Sequence, residues 1–227
     1  MESQSTLVTQ VCRRLSAHAG RSLADKDGWL PSERQLAERL EVSRTVVREA
    51  TKRLELQGVL EVQHGVGIRF VDRLHEPFNA AIELLVPEPR EQLRQLAEAR
   101  TILEPAVARL AAERAKVEHR RALRATQEKL STAVETAQAI EFDLEFHRIL
   151  AQAAGNRILE LILESLGQLG RASRQATLAS TGIARAVEHH ALILDAIEHR
   201  RGDDAFAAMQ MHMQGSARDL TKIFSSR

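Results

Sequence analysis

The chain has 227 residues, enough for one large or two modest domains, and its 44% hydrophobic and 28% charged content is the mix of a globular fold, which excludes disorder and collagen. A single cysteine, Cys12, allows no internal disulfide and points to a reducing, cytoplasmic setting; no run reaches the roughly 18 apolar residues of a membrane span, and the polar start lacks a signal-peptide pattern. With no tyrosine and 3% aromatic residues, a β-sandwich or base-stacking surface is disfavoured and a mainly α fold is expected, while a net charge of +1 has to be read segment by segment.

In chain order, Leu7, Val11 and Leu15 recur at helical spacing before a loop holding Asp25, Asp27, Gly28, Trp29 and Pro31. Ser32 caps a short helix, Glu33 to Leu40, with Leu36, Ala37 and Leu40 inward; Val42 and Ser43 turn the chain into a second helix from about Arg44 to Gln57, which Gly58 stops. Val59 to Glu61 and Ile68 to Val71 read as short strands around a glycine-containing tip. Helix, turn, helix, hairpin is the order of a winged helix-turn-helix, assigned to residues 1–72. Pro77, Pro87 and Pro89 mark 73–90 as a linker with one short helix, Asn79 to Val86. Residues 91–227 carry helical segments at about 91–115, 118–137, 139–154, 157–178, 183–199 and 203–224, an antiparallel all-α bundle.

The second helix of the pair is cationic outside, with Arg44, Arg48, Lys52 and Arg53 against Glu49, and apolar inside, with Val46, Val47, Ala50 and Leu54. Such a helix fits a major groove, where arginine offers two donors to guanine and where Ser43 and Thr45 reach phosphates; a solvated charged face is the plainer alternative. The run LPSERQLAERLEVSRTVVREATKRLELQGVLEVQHGVGIRFV, Leu30 to Val71, resembles the DNA-binding domain of GntR-family transcription regulators. That resemblance implies base or phosphate contacts from Arg34, Arg44 and Arg48, and minor-groove entry by His64 and Gly65. Arg34 also has a structural partner in reach, Glu38.

Taking about 100° per residue from Ile140, Glu141, Glu145, Arg148 and Gln152 cluster near 110°, whereas Asp143 and His147 fall near 300° and 340°, among Ile140, Leu150 and Ala154. Both point inward. The same construction puts His190 on a stripe with Val187, Leu194 and Ile197 and leaves His189 as a flank residue; His212 shares a stripe with Ala205, Met209, Ser216 and Leu220. Asp143 and His147, one turn apart, have the spacing at which two side chains converge on an ion, and a cation would neutralise a buried Asp. An Asp–His hydrogen-bonded pair beside two unrelated histidines is the alternative.

EARTILEPAVARLAAERA (Glu98 to Ala115), FDLEFHRILAQAAGN (Phe142 to Asn156), EHHALILDAI and the later MQMH are similar to the all-helical FCD-type ligand-binding domain of the FadR-type branch. The resemblance implies that Asp143, His147, His190 and His212 hold one divalent metal ion, with zinc, nickel or manganese all suited to the donors. The pattern departs at Arg200 and Arg201, where the family often has Gly-Asp. Arg100 lies on the stripe Leu93, Leu96, Leu103, Val107, Leu110, so a guanidinium faces the interior; it either pairs with Glu104 or holds an effector carboxylate. Pro105 is expected to bend this helix. Asn156 is either an effector-facing amide or a capping residue.

These readings imply a homodimeric repressor of a metabolic operon that binds a palindromic DNA operator and senses a small carboxylate or sugar acid through a metal-containing pocket. A sensor of the metal itself is the first alternative. A metal-dependent hydrolase is the second, and the lack of an acid evidently placed beside the ligands speaks against it.

Overall fold

The computed structural model describes residues 2–17, 28–63 and 65–225. Asp25 and Asp27 of the expected loop, and the tip residue His64, lie outside the described residues. The chain divides into two compact units, Met1–Ala80 and Ala81–Arg227.

The first unit is a winged helix-turn-helix built from α1 (Glu2–Ala17), α2 (Glu33–Leu40), α3 (Arg44–Leu56), β1 (Leu60–Gln63) and β2 (Gly67–Phe70). Ser32 caps α2 in a reciprocal arrangement with Gln35, and Ser43 caps α3 by accepting from the Val46 N–H, so two serines fix where both helices begin. The core joins Val8, Val11 and Leu15 of α1 to Leu36, Val47, Leu54, Leu60 and Ile68. Leu7 is exposed, so the inward stripe of α1 runs through Val8 and Cys12 instead of Leu7. Strands β1 and β2 pair antiparallel, Leu60 opposite Phe70 and Gln63 opposite Gly67. Gly58, at φ +72°, ends α3 where a Cβ would stand 2.0 Å from the Arg73 carbonyl oxygen, so only glycine fits.

Helix α4 (Glu76–Leu85) spans the division between the units. It starts three residues before the expected Asn79 because Pro77 sits in its first turn, where a missing N–H costs nothing. Pro89 likewise opens α5 (Pro89–Arg114), whose N-cap Glu88 accepts from the N–H groups of Arg90 and Glu91.

The second unit is an all-helical bundle: α5, α6 (Val117–Ser131), α7 (Thr136–Ala153), α8 (Arg157–Ser165), α9 (Gly167–Thr181), α10 (Ala184–Glu198) and α11 (Gly202–Ser225). Helix α5 packs along α11, α6 along α7 and α10 along α11, around Leu123, Phe146, Leu150, Ile193, Ile197 and Met209. Helix α6 stops at Ser131 instead of continuing to residue 137, because Ser131 and Thr132 turn their hydroxyls back onto the Glu128 carbonyl. The single helix expected over 157–178 is two, broken at Leu166 between Ser165 and Gly167, both weak helix formers. The Arg200–Arg201 turn resolves without a glycine at its left-handed position. Arg200 takes φ +56°, its N–H bonds to the Ile197 carbonyl and that of Arg201 to Ala196, which closes α10 in a Schellman motif.

Candidate metal centre and DNA-reading face

Asp143 and His147 stand one turn apart on the buried face of α7, and Glu141 and Arg148 lie on its exposed side. Helix α10 contributes His190, fully buried and stacked on the Phe146 ring with centroids 4.1 Å apart, and α11 contributes His212. One ligating atom from each of these four residues lies within 4.8 Å of all the others. His147 Nε2 faces His212 Nε2 at 3.3 Å, and His190 Nε2 stands 3.4 Å from Asp143 Oδ1. Donor atoms about 2.0–2.2 Å from one tetrahedral ion stand roughly 3–3.5 Å from each other, the spacing that these two pairs already have.

Neither ring nitrogen of His190 has a hydrogen-bond partner among the described residues, although the side chain is wholly buried. An orphaned imidazole at such a depth needs something to take its lone pair, and a cation does so. Burial pushes His190 down to about 3, against the upward pull of Asp143. Burial, with His190 and His147 adding to it, also holds His212 well below 6.5. Both rings are therefore presented unprotonated, the form that ligates. Burial alone would raise the Asp143 carboxyl, but Arg174, then His190 and His147, outweigh it and hold it below the usual carboxylate range.

Two charged residues stand beside the centre, one of which the sequence reading did not single out and the other of which it read only as a partner for Arg100. Arg174 of α9 is buried, and its Nε donates to Asp143 Oδ2 while its Nη1 donates to the Gly170 carbonyl. Its signal was available in the stripe Gly170, Ser173, Arg174, Thr177, Leu178, which has three-four spacing. The second is Glu104, one of whose oxygens accepts from Arg100 Nε while the other meets the His147 ring at Nδ1. An acid does stand beside the ligands, contrary to the expectation from sequence, because α5 and α7 pack side by side and their pairing cannot be read from either helix alone. His189 is buried as well, its ring edge-on to His212 at 5.6 Å, and is not a flank residue. Helix α10 is covered by α5, α6 and α11 together, so its buried arc is wider than one stripe.

Arg100, Asp143, Arg174 and His212 line one cavity of about 30 Å³, with Arg185, Ser216 and Asp219 among the other residues of its wall. That volume takes an ion or a water or two. Arg185 and Asp219 form an ion pair there, Asp219 buried and Arg185 partly exposed. Arg100 thus pairs with Glu104 and lines the cavity at once. Asn156 caps α8, accepting from the N–H groups of Ile158 and Leu159 at 3.1 and 3.3 Å, and does not line the cavity.

In the first unit, Ser43, Arg44, Thr45 and Arg48 are exposed at the start of α3, on the side opposite Val46, Val47 and Ala50. Arg48 donates to Glu33 from Nε and Nη2, and Arg34 pairs with Glu38 at 3.3 Å, both at the surface where such pairs hold weakly. Gly65 is exposed at the hairpin tip with φ +77°, and nothing lies within 4 Å of the position a Cβ would take there.

Residues 8–70 match the family of bacterial regulatory proteins called gntR, and residues 95–215 match the FCD domain. This chain belongs to the GntR family. Members of this family with an FCD domain are transcriptional regulators and not enzymes, which sets the hydrolase alternative aside. The GntR-family chain is 32% identical over 195 residues to the HTH-type transcriptional regulator LutR of Bacillus subtilis, covering 81% of this chain and 87% of that protein. It is 25% identical over 202 residues to the galactonate operon transcriptional repressor of Escherichia coli, covering 86% of this chain and 88% of the other. Among solved structures it is similar to a Streptococcus agalactiae GntR protein, with a TM-score of 0.77 at 28% identity over 93% of this chain and 99% of that one. Regulators of this family bind DNA operators and small-molecule effectors, commonly as dimers. Among the described residues no helix is long and apolar enough to cross a membrane.

Proposed function

We propose that this protein is a cytoplasmic, homodimeric repressor of a metabolic operon, which binds a palindromic operator and releases it when a small organic acid enters a metal-containing pocket. The observation that carries this is the buried cluster of Asp143, His147, His190 and His212, two of which, Asp143 and His212, line one cavity with the buried guanidiniums of Arg100 and Arg174. The four ligands would hold one divalent ion, with zinc, nickel and manganese all suited to the donor set. Bound there, the ion would supply a positive centre that favours an effector carboxylate.

The buried charges of Arg100 and Arg174 are balanced by Glu104 and Asp143, so a divalent ion leaves an excess of positive charge in the cavity. An anion answers that excess, and a carboxylate is the acceptor that a guanidinium grips in two places. Because the cavity takes only water-sized occupants, an acid enters by displacing side chains at its wall, of which the partly exposed Arg185 is the freest. On the DNA side, Arg44 and Arg48 would read base edges, Ser43 and Thr45 would reach phosphates, Arg34 would contact an adjacent phosphate, and His64 with Gly65 would enter the minor groove. A two-fold protein calls for matching half-sites in its operator.

An effector acts only through different affinities for the operator-competent and operator-incompetent states. The test is a gel-shift titration at fixed salt, on an operator selected from a random duplex pool, with metal-loaded protein and a panel of small mono- and dicarboxylates and sugar acids. Release by a member of the panel is expected. The small cavity favours a second reading, in which the ion itself is the signal. Operator affinity that changes with chelator and ignores every acid would establish it in place of the first.

A further inference from the structure

We infer that Glu104 is the positioning residue of the metal centre, holding the His147 ring in the tautomer whose Nε2 lone pair faces the other ligands. This rests on the metal reading above. Glu104 is buried on α5, and Arg100 Nε donates to its Oε1. The permanently charged Arg100 guanidinium is its buried ion-pair partner, so Glu104 stands there as a carboxylate. An ionised carboxylate can only accept hydrogen bonds. Its Oε2 meets His147 at Nδ1, so Nδ1 must carry the hydrogen.

The rest follows from the ring. In a neutral imidazole with the hydrogen on Nδ1, the lone pair is on Nε2, and Nε2 is the atom facing the other ligands, 3.3 Å from His212 Nε2 and 3.7 Å from Asp143 Oδ2. With the tautomer reversed, Nε2 would present a hydrogen to the position the ion takes. Arg100 in turn fixes the carboxylate that fixes the ring, so a residue lining the cavity is joined through one side chain to a proposed ligand. A carboxylate oriented by its own partner and accepting from a ligating histidine is how a protein sets ring orientation and raises ligand basicity.

The experiment uses full-length metal-free protein labelled with ¹⁵N-histidine, and zinc alone as the ligand. Long-range ¹H–¹⁵N correlation spectra report the tautomer of each histidine, with His147 assigned by its loss in His147→Asn. The expected result is hydrogen on Nδ1 of His147 in the wild type. In Glu104→Gln the amide meets two donors, Arg100 and His147, with one oxygen, so the tautomer is no longer enforced, and zinc affinity by chelator competition falls about 10- to 100-fold. A wild-type His147 carrying hydrogen on Nε2 would overturn the inference, and this needs no variant to fold. Zinc binding by Glu104→Gln as tight as wild type would also overturn it while leaving the metal centre intact. Wild-type protein that takes no zinc would overturn the metal reading itself, and Glu104's role with it.

Discussion

Arg174 and Asp143 form a buried ion pair across α9 and α7, in which the guanidinium Nε donates to Oδ2 while Oδ1 stays turned toward His190. Asp143 is thereby kept charged in the absence of an ion, and the bundle closes around the ligand set without a bare anion in its core. Breaking such a pair by removing one partner costs about 3–5 kcal/mol. Arg174→Leu is therefore expected to lower the melting temperature sharply in chelator and less so in saturating zinc, where the cation takes over as partner of Asp143. Paired thermal unfolding of wild type and variant in both buffers checks this; an equal loss in the two would show that Arg174 and the ion do not serve the same carboxylate.

Acid should unfold the metal-free protein from near neutrality downward. His190 is held at about 3 against its ordinary 6.5, so between these values the unfolded chain binds a proton that the folded chain does not. Stability from this group is complete above about pH 6.5 and is lost as pH falls toward 3. His212, depressed by burial, contributes with the same sign, and the lowered Asp143 and Glu104 extend the loss into the carboxylate range. Chemical denaturation in chelator from pH 7.5 to 4.5 should show a midpoint that declines steadily; a flat profile would mean that these rings are not buried neutral.

Much of this was legible in the residues. Ser32, Ser43 and Gly58 mark the boundaries of α2 and α3 because capping and left-handed backbone demand particular side chains. The inward direction of Asp143, His147, His190 and His212 followed from helical periodicity, since each shares a stripe with apolar neighbours. What failed were the properties that depend on two helices at once. Glu104 meets His147, Arg174 meets Asp143 and His189 is buried only because of which helices lie side by side, and one-helix periodicity holds no such information. The break at Leu166 was missed for a different reason: the hydrophobic pattern runs on through it, and only weak propensities at Ser165 and Gly167 mark the place.

Arg44 and Arg48 should behave as sequence readers and Thr45 as a positioning contact. Each arginine-to-alanine change is expected to cost about 1–3 kcal/mol on the selected operator and to relax preference at one base position, while Thr45→Val should weaken all duplexes similarly. Fluorescence anisotropy with selected and scrambled duplexes at one salt concentration separates the two behaviours. Arg48 must leave Glu33 to reach a base, and since that pair is exposed, Glu33→Gln should alter operator affinity far less than Arg48→Ala.

The left-handed Arg200 is a correctable cost. A non-glycine residue in that conformation gives up roughly 1–2 kcal/mol, so Arg200→Gly should stabilise the bundle by about 0.5–1 kcal/mol after loss of the surface bond to the Glu113 carbonyl and the greater freedom of glycine in the unfolded chain. Thermal unfolding would show it as a small rise in midpoint, and a fall would mean that the Arg200 side chain matters more than its backbone.

The central claim is that the four buried ligands hold a divalent ion, and metal stoichiometry tests it most directly. Elemental analysis of wild-type protein purified without chelator, and again after loading with zinc, should give one ion per chain, falling to near zero in Asp143→Ala and His190→Ala variants that retain wild-type helicity. Wild-type protein that carries no metal and accepts none, or variants that load as fully as wild type, would contradict it.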